Sequence, residues 1–158
     1  MKTLRTITTI CVLIVFFSCS EKAKNNNDNQ EDTKYEIAQK NKKIVMDFYQ
    51  KVFGDKDFSV IDSVIVDSYI QHNPSVADGR EPLKKALKVW LKDAPKTKVD
   101  FQHVIAEDDL VVLHIKDVSN GKVTAIVDIF RLKNGKITEH WDAVQKAPEK
   151  SENKHPMF

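Results

Sequence analysis

The sequence predicts an α+β fold in which a curved antiparallel sheet wraps around N-terminal helices, and three observations carry that prediction. Apolar residues recur near a 3.6-residue period through the first half of the chain, notably from Tyr35 to Phe53 and from Glu81 to Lys92. From Lys98 onward, four runs rich in β-branched and aromatic residues follow one another as a meander. Two of the connections between them are Asn120-Gly121 and Asn134-Gly135, and Asn-Gly is the strongest short-range hairpin signal.

The chain has 158 residues, enough for one domain, and its 41% apolar content is ordinary for a globular protein. Met1 to Ser18 reads as an export signal, with Lys2 and Arg5 at its start and an apolar core from Ile10 to Phe17. That core is too short to span a bilayer, which takes about 20 residues. Removing the segment, which carries no acid, takes the formal charge from +2 to 0. A near-neutral chain without a basic cluster argues against nucleic acid as a partner. Phe16-Phe17-Ser18-Cys19 resembles a bacterial lipobox, which implies cleavage before Cys19 and lipidation of its thiol. The alternative is an ordinary secretory signal followed by a stray cysteine. With Cys11 removed in the signal, one cysteine remains and no intramolecular disulfide can form. Residues 19–33 are polar and read as a disordered tether after the lipidated Cys19. The expected location is therefore the bacterial cell envelope, lipid-anchored and facing the periplasm, with secretion as the alternative.

The folded domain is expected over residues 34–146. Tyr35 to Phe53 is a helix with Ile37, Asn41, Ile44, Val45, Phe48 and Val52 on one side, ended by Gly54. Phe58 to Val66 is a short second helix that Asp57 or Ser59 caps. Asp67 to Pro74 is extended, and Asp78-Gly79 is a turn. Glu81 to Lys92 is a third helix with Leu83, Ala86, Leu87, Trp90 and Leu91 as its stripe and Pro82 in its first turn. Strands follow over Lys98 to Ala106, Leu110 to Val118, Lys122 to Leu132 and Lys136 to Lys146. Residues 147–158 form a polar tail, apart from Met157 and Phe158.

Asp128, Arg131, His140 and Asp142 stand inside otherwise apolar strands, where ionisable groups are costly unless paired. Which of them share a face depends on register, because a one-residue slip exchanges the faces of a strand. If both Asn-Gly turns are three-residue loops, His114, Asp128, His140 and Asp142 all point toward the helices. If both are two-residue loops, Asp128 leaves the group. The three-residue form is favoured, and it leaves Val127, Ile129, Arg131 and Trp141 on the opposite, exposed face, which suggests a homodimer interface.

Four stretches together carry a family resemblance: Tyr69-Ile-Gln71-His72-Asn73-Pro74, Ala106 to His114, Val127-Asp128-Ile129-Phe130-Arg131, and Gly135-Lys-Ile-Thr-Glu139-His140-Trp141-Asp142. In this order they resemble the SnoaL-like group of the nuclear transport factor 2-like superfamily, from about Asn41 to the C-terminus. The resemblance implies a cone-shaped α+β barrel open at one end into a deep pocket, and frequent dimers through the convex sheet face. It also implies cofactor-free acid–base chemistry, as in aldol-type ring closure, isomerisation or dehydration, with an aspartate as acid and base. That role falls to Asp142, with Asp128 as the other candidate.

The residue chemistry agrees with that expectation. A carboxylate beside an imidazole in an apolar pocket is a general-base arrangement. Asp142 or Asp128 would remove a proton next to a carbonyl, and His114, His140 or His72 would bond the developing enolate oxygen. Tyr69 and Asn73 add polar contacts, and Trp90 and Phe130 apolar ones, to a small apolar or carbonyl-containing ligand. The chain has neither a Gly-rich phosphate loop nor a cysteine pair, so no cofactor is expected. Two alternatives stand beside this reading. One is a metal held by His72, His114 and His140 with one Asp. The other is a lipid-tethered module that binds a ligand or partner without turnover.

Overall fold

The computed structural model describes residues 26–158 except Asn120, with side chains from Thr33 onward. The export signal and Cys19 lie outside the described residues. The order of elements is α1 (Asn26–Tyr49), a π-helical turn (Gln50–Gly54), a 3-10 turn (Phe58–Val60), α2 (Ile61–Val64), β1 (Ile65–Gln71), α3 (Arg80–Trp90), β2 (Asp100–Glu107), β3 (Leu110–Ser119), β4 (Lys122–Lys133) and β5 (Lys136–Lys146). Helix α1 begins ahead of Tyr35, inside the stretch read as tether; no Gly or Pro between Asn26 and Tyr49 stands in its way. Asp57 caps the 3-10 turn, its carboxylate accepting from Ser59 N–H.

The sheet has five strands in the order β1-β5-β4-β3-β2. All neighbours are antiparallel except β1 and β5, which run parallel. The short second helix thus ends earlier than its apolar spacing suggests, and Ile65 opens an edge strand instead. One face of the curved sheet packs on α1 through Val45, Phe48 and Tyr49 and on the π-helical turn through Val52, which meet Val111, Leu113, Ile115, Phe130, Leu132 and Ile137. Helix α3 adds Leu83 and Leu87 to this core. Its N-terminus is tied down by Arg80 to Asp62 and Asp67, and by Lys84 to Asp62.

Gly54 closes the π-helical turn where only glycine fits. A Cβ there would lie 2.7 Å from Thr97 O and collide with the Gln50 side chain. That side chain holds the α3–β2 connection to the helix: its amide donates to Thr97 O and its carbonyl accepts from Val99 N–H.

The register decides what faces the helices. Ser119 pairs with Lys122, so the first turn is a two-residue loop, and His114 lies opposite Val127. Lys133 pairs with Lys136, so the second is also a two-residue loop, with Asn134 and Gly135 at φ 52° and 72°. Both central residues left-handed is the type I′ turn for which Asn-Gly is suited. A bulge then interrupts the second hairpin: Leu132 pairs with Ile137 but Arg131 with Glu139, and the hydroxyl of the extra residue, Thr138, donates to Arg131 O. The bulge exchanges the faces of everything after it. Asp128 therefore lies opposite Asp142 and Phe130 opposite His140, all toward the helices. The expectation of two matching three-residue loops is corrected: the hairpins differ in parity, Asp128 stays on the inner face, and His114 leaves it.

Candidate functional site

The inner face of β4 and β5 and the end of β1 wall a cavity of about 210 Å³. Phe48, Tyr49 and Phe53 of the first helical segment form one side, Leu83, Leu87 and Trp90 of α3 another. Polar side chains enter from three strands. Tyr69, Gln71 and Asn73 come from β1 and its extension, Asp128 from β4, and His140 and Asp142 from β5. Alternation places them there, since residues two apart in a strand share a face.

These groups form one hydrogen-bonded array. His140 Nε2 lies 2.8 Å from Asp128 Oδ1 and its Nδ1 lies 2.9 Å from Gln71 Oε1. Gln71 Oε1 also accepts the Asn73 backbone N–H at 3.0 Å, and Gln71 Nε2 donates to the Tyr69 hydroxyl oxygen at 3.2 Å. Asn73 Nδ2 donates to Asp142 Oδ2 at 2.5 Å. Asp128 and His140 are 5% and 8% exposed, the only Asp, Glu, His, Lys or Arg residues buried to that degree among the described ones. Asp128 Oδ2 is buried without a hydrogen-bond partner. The Tyr49 hydroxyl faces this carboxylate. Burial foremost, and then the Asp128 charge, pushes the Tyr49 hydroxyl far above its ordinary pKa. Tyr69 is raised for the same two reasons. Both phenols are neutral groups at any physiological pH.

The structure sorts the expected site residues in two. Asp142, Asp128, His140, Tyr69, Asn73, Phe130 and Trp90 line the cavity, the last at its mouth and half exposed. His114 does not: its Nδ1 lies 3.1 Å from His103 Nδ1 on the outer face, and the Phe158 ring packs 5.7 Å from it. His72 is also outside. Its ring stacks on Trp141 at 4.6 Å and bonds Glu139, which in turn holds Arg131, itself paired with Asp109. His72, His114 and His140 therefore cannot hold one metal. The donor atoms that do gather, within 4.8 Å, belong to Asp128, His140 and Asp142. A cation there would have to replace the His140–Asp128 hydrogen bond.

Gln71 is the site residue that sequence reasoning passed over. It sits between Tyr69 and Asn73 in a stretch read only as extended. Extending the period-2 alternation from Tyr69 through Asn73 would have turned all three inward and His72 outward.

An apolar chamber enclosed by a curved sheet and helices, with two carboxylates and an imidazole at its wall, defines a small-molecule pocket protein of the α+β cone class. The family model for SnoaL-like polyketide cyclase matches residues 43–151, and the chain belongs to that family. No curated protein matches the chain. Among solved structures it is similar to TsrD from Streptomyces laurentii, at 20% identity and a TM-score of 0.55, over 66% of this chain and 87% of that one. It is similar also to an NTF-2 like protein of unknown function from Burkholderia xenovorans LB400, at 16% identity and a TM-score of 0.59, over 73% and 91% of the two chains. An NTF2-like protein of unknown function from Cytophaga hutchinsonii ATCC 33406 matches at 18% identity and a TM-score of 0.55, over 66% and 89%. At these identities the likeness is one of fold.

Proposed function

We propose that this chain is a cofactor-free general acid–base enzyme acting next to a carbonyl group of a small, largely apolar substrate, in a reaction of the aldol, cyclisation or isomerisation type. The observation that carries this reading is the position of Asp142. One of its oxygens is fixed by Asn73 Nδ2, and the carboxylate lines the cavity beside the buried Asp128–His140 pair. Asp142 removes the proton α to the carbonyl. The enolate oxygen that develops is met by the neutral Tyr69 hydroxyl, in a chamber whose other walls exclude water. Membership of the polyketide cyclase family supports a carbonyl-bearing substrate.

The test needs no knowledge of the natural substrate. Exchange of α-hydrogens for deuterium is followed by NMR for a panel of aryl ketones and aryl 1,3-diketones, with wild type and with Asp142→Asn. The expected loss in Asp142→Asn is about 10²–10⁴-fold, the usual worth of a positioned general base. Ligand binding in both proteins with no exchange beyond the protein-free rate in either is the signature of a binding module without turnover.

We also infer that Cys19 carries a lipid that holds the domain at the bacterial cell envelope, facing the periplasm, and that two copies pair through the outer sheet face. Ile105 and Val118 stand 62% and 61% exposed there, beside Val127 and Ile129. Radiolabelled palmitate entering wild type and not Cys19→Ala supports the anchor. A sedimentation mass that falls to the monomer in Ile105→Glu supports the interface.

A further inference from the structure

The hydrogen-bond array has a direction, and one backbone N–H sets it. An amide side chain can be turned about its last bond, so Gln71 alone does not say which of its ends is oxygen. The Asn73 N–H is a donor in every arrangement, and it points at one end of that amide at 3.0 Å. That end must be Oε1, because the alternative sets donor against donor in a partly buried site. His140 Nδ1 lies 2.9 Å from the same oxygen and must therefore carry a hydrogen. Only the Nε2 side of the ring is left to negotiate with Asp128 Oδ1, 2.8 Å away, and the gap between them holds one hydrogen. Whether it rests on nitrogen or on oxygen, the two residues together are uncharged. A net charge on groups 5% and 8% exposed would be costly, and this arrangement avoids it.

We propose that Gln71 is the positioning residue of this site: it holds the hydrogen on His140 Nδ1, makes Asp128 and His140 a neutral one-proton unit, and so leaves Asp142 as the carboxylate free to act as base. Which aspartate does the chemistry is thus decided by an amide that touches neither of them. Asp142 accepts the amide hydrogen of Asn73 and is bonded to neither member of the Asp128–His140 pair. The assignment of a base rests on the acid–base reading above, whereas the placement of the hydrogen does not.

The experiment is 15N NMR of the folded full chain labelled in histidine, with the His140 signals identified by their loss in His140→Gln. Wild type is expected to show a protonated Nδ1 on His140 throughout the neutral range. Gln71→Glu keeps an oxygen that accepts from both Asn73 and His140, and should preserve the pattern. Gln71→Met removes the acceptor, and the neutral ring should then carry its hydrogen on Nε2, toward Asp128. A bare Nδ1 in wild type overturns the proposal, as does a Gln71→Met spectrum identical to wild type. If Gln71→Met does not fold, wild type and Gln71→Glu decide. No ligand or turnover enters this measurement, so its failure leaves the α-hydrogen exchange test standing, and a null exchange result leaves the hydrogen placement standing.

Discussion

Replacing Asp128 by asparagine should leave the protein as stable as wild type or more so, although the residue is buried and bonded. In the folded state Asp128 Oδ1 meets His140 Nε2 at 2.8 Å, while Oδ2 is buried with no partner. A buried polar atom left unpaired costs about 1–3 kcal/mol. With a hydrogen fixed on His140 Nδ1, the introduced amide can donate its N–H to a bare Nε2, and the oxygen left in the place of Oδ2 is that of a neutral amide, which costs less to bury unpaired than a carboxylate oxygen. Against this, a charge-assisted bond is exchanged for a neutral one, a loss of about 1 kcal/mol. The net lies between no change and a gain of about 2 kcal/mol, and for a domain of this size each kcal/mol moves Tm by about 3–5 °C. The assay is thermal unfolding at neutral pH, checked by urea denaturation. A fall in Tm of more than about 5 °C, or about 1 kcal/mol, would refute the reasoning, because it would mean that Oδ2 is satisfied in the native state.

Phe130→Ala should destabilise by about 3–5 kcal/mol, since its 3%-exposed ring packs edge-on against Phe48 and Tyr49 and lies against the His140 imidazole; urea denaturation reads the loss. Gly54→Ala should cost about 1–3 kcal/mol, because the new methyl meets the Thr97 carbonyl at 2.7 Å and displaces Gln50; the same denaturation shows it. On the outer face, the His72 hydrogen bond first, and Arg131 after it, hold the Glu139 carboxyl below the usual carboxylate range. A depressed folded pKa gives stability that is present above the unfolded value, about 4.3, and lost as pH falls through the folded value. Glu139→Gln should therefore be less stable than wild type at pH 7, and the difference should vanish in strong acid.

The fold could be read from the chain because each element carries its own local signal. The three helices showed their apolar stripes, both Asn-Gly turns were where the hairpins turn, and Asp142, Asp128 and His140 stood out as charges in apolar strands. Two things could not be read. The parallel pairing of β1 with β5 joins residues as far apart as Ile65 and Ile137, with no turn between them to announce it. The bulge at Thr138 is the other. Its residue is an ordinary strand former, and nothing local distinguishes a regular ladder from one with an extra residue. The two turns decide different residues: the two-residue connection between Ser119 and Lys122 takes His114 off the face of Asp128, and the bulge at Thr138 keeps Asp128 on the face of His140 and Asp142.

The bulge also accounts for how the charges are divided. Arg131 and Glu139 pair on the outer face, with His72 and Asp109 completing their network. Without the extra residue, His140 and Asp142 would turn outward toward Arg131, and Glu139 and Trp141 would turn in. The inner wall would then lose His140 and Asp142, and Asp142 would share the outer face with the Arg131 guanidinium. With the bulge, the arginine is spent on Glu139 and Asp109, and the groups that meet Asp142 inside are an asparagine amide and a neutral pair. A carboxylate held by neutral donors in an apolar chamber is better suited to taking a proton from carbon than one clamped by a guanidinium. The register shift at Thr138 and the amide of Gln71 thus act toward the same end: the first keeps cations off Asp142, and the second keeps the neighbouring carboxylate from competing with it.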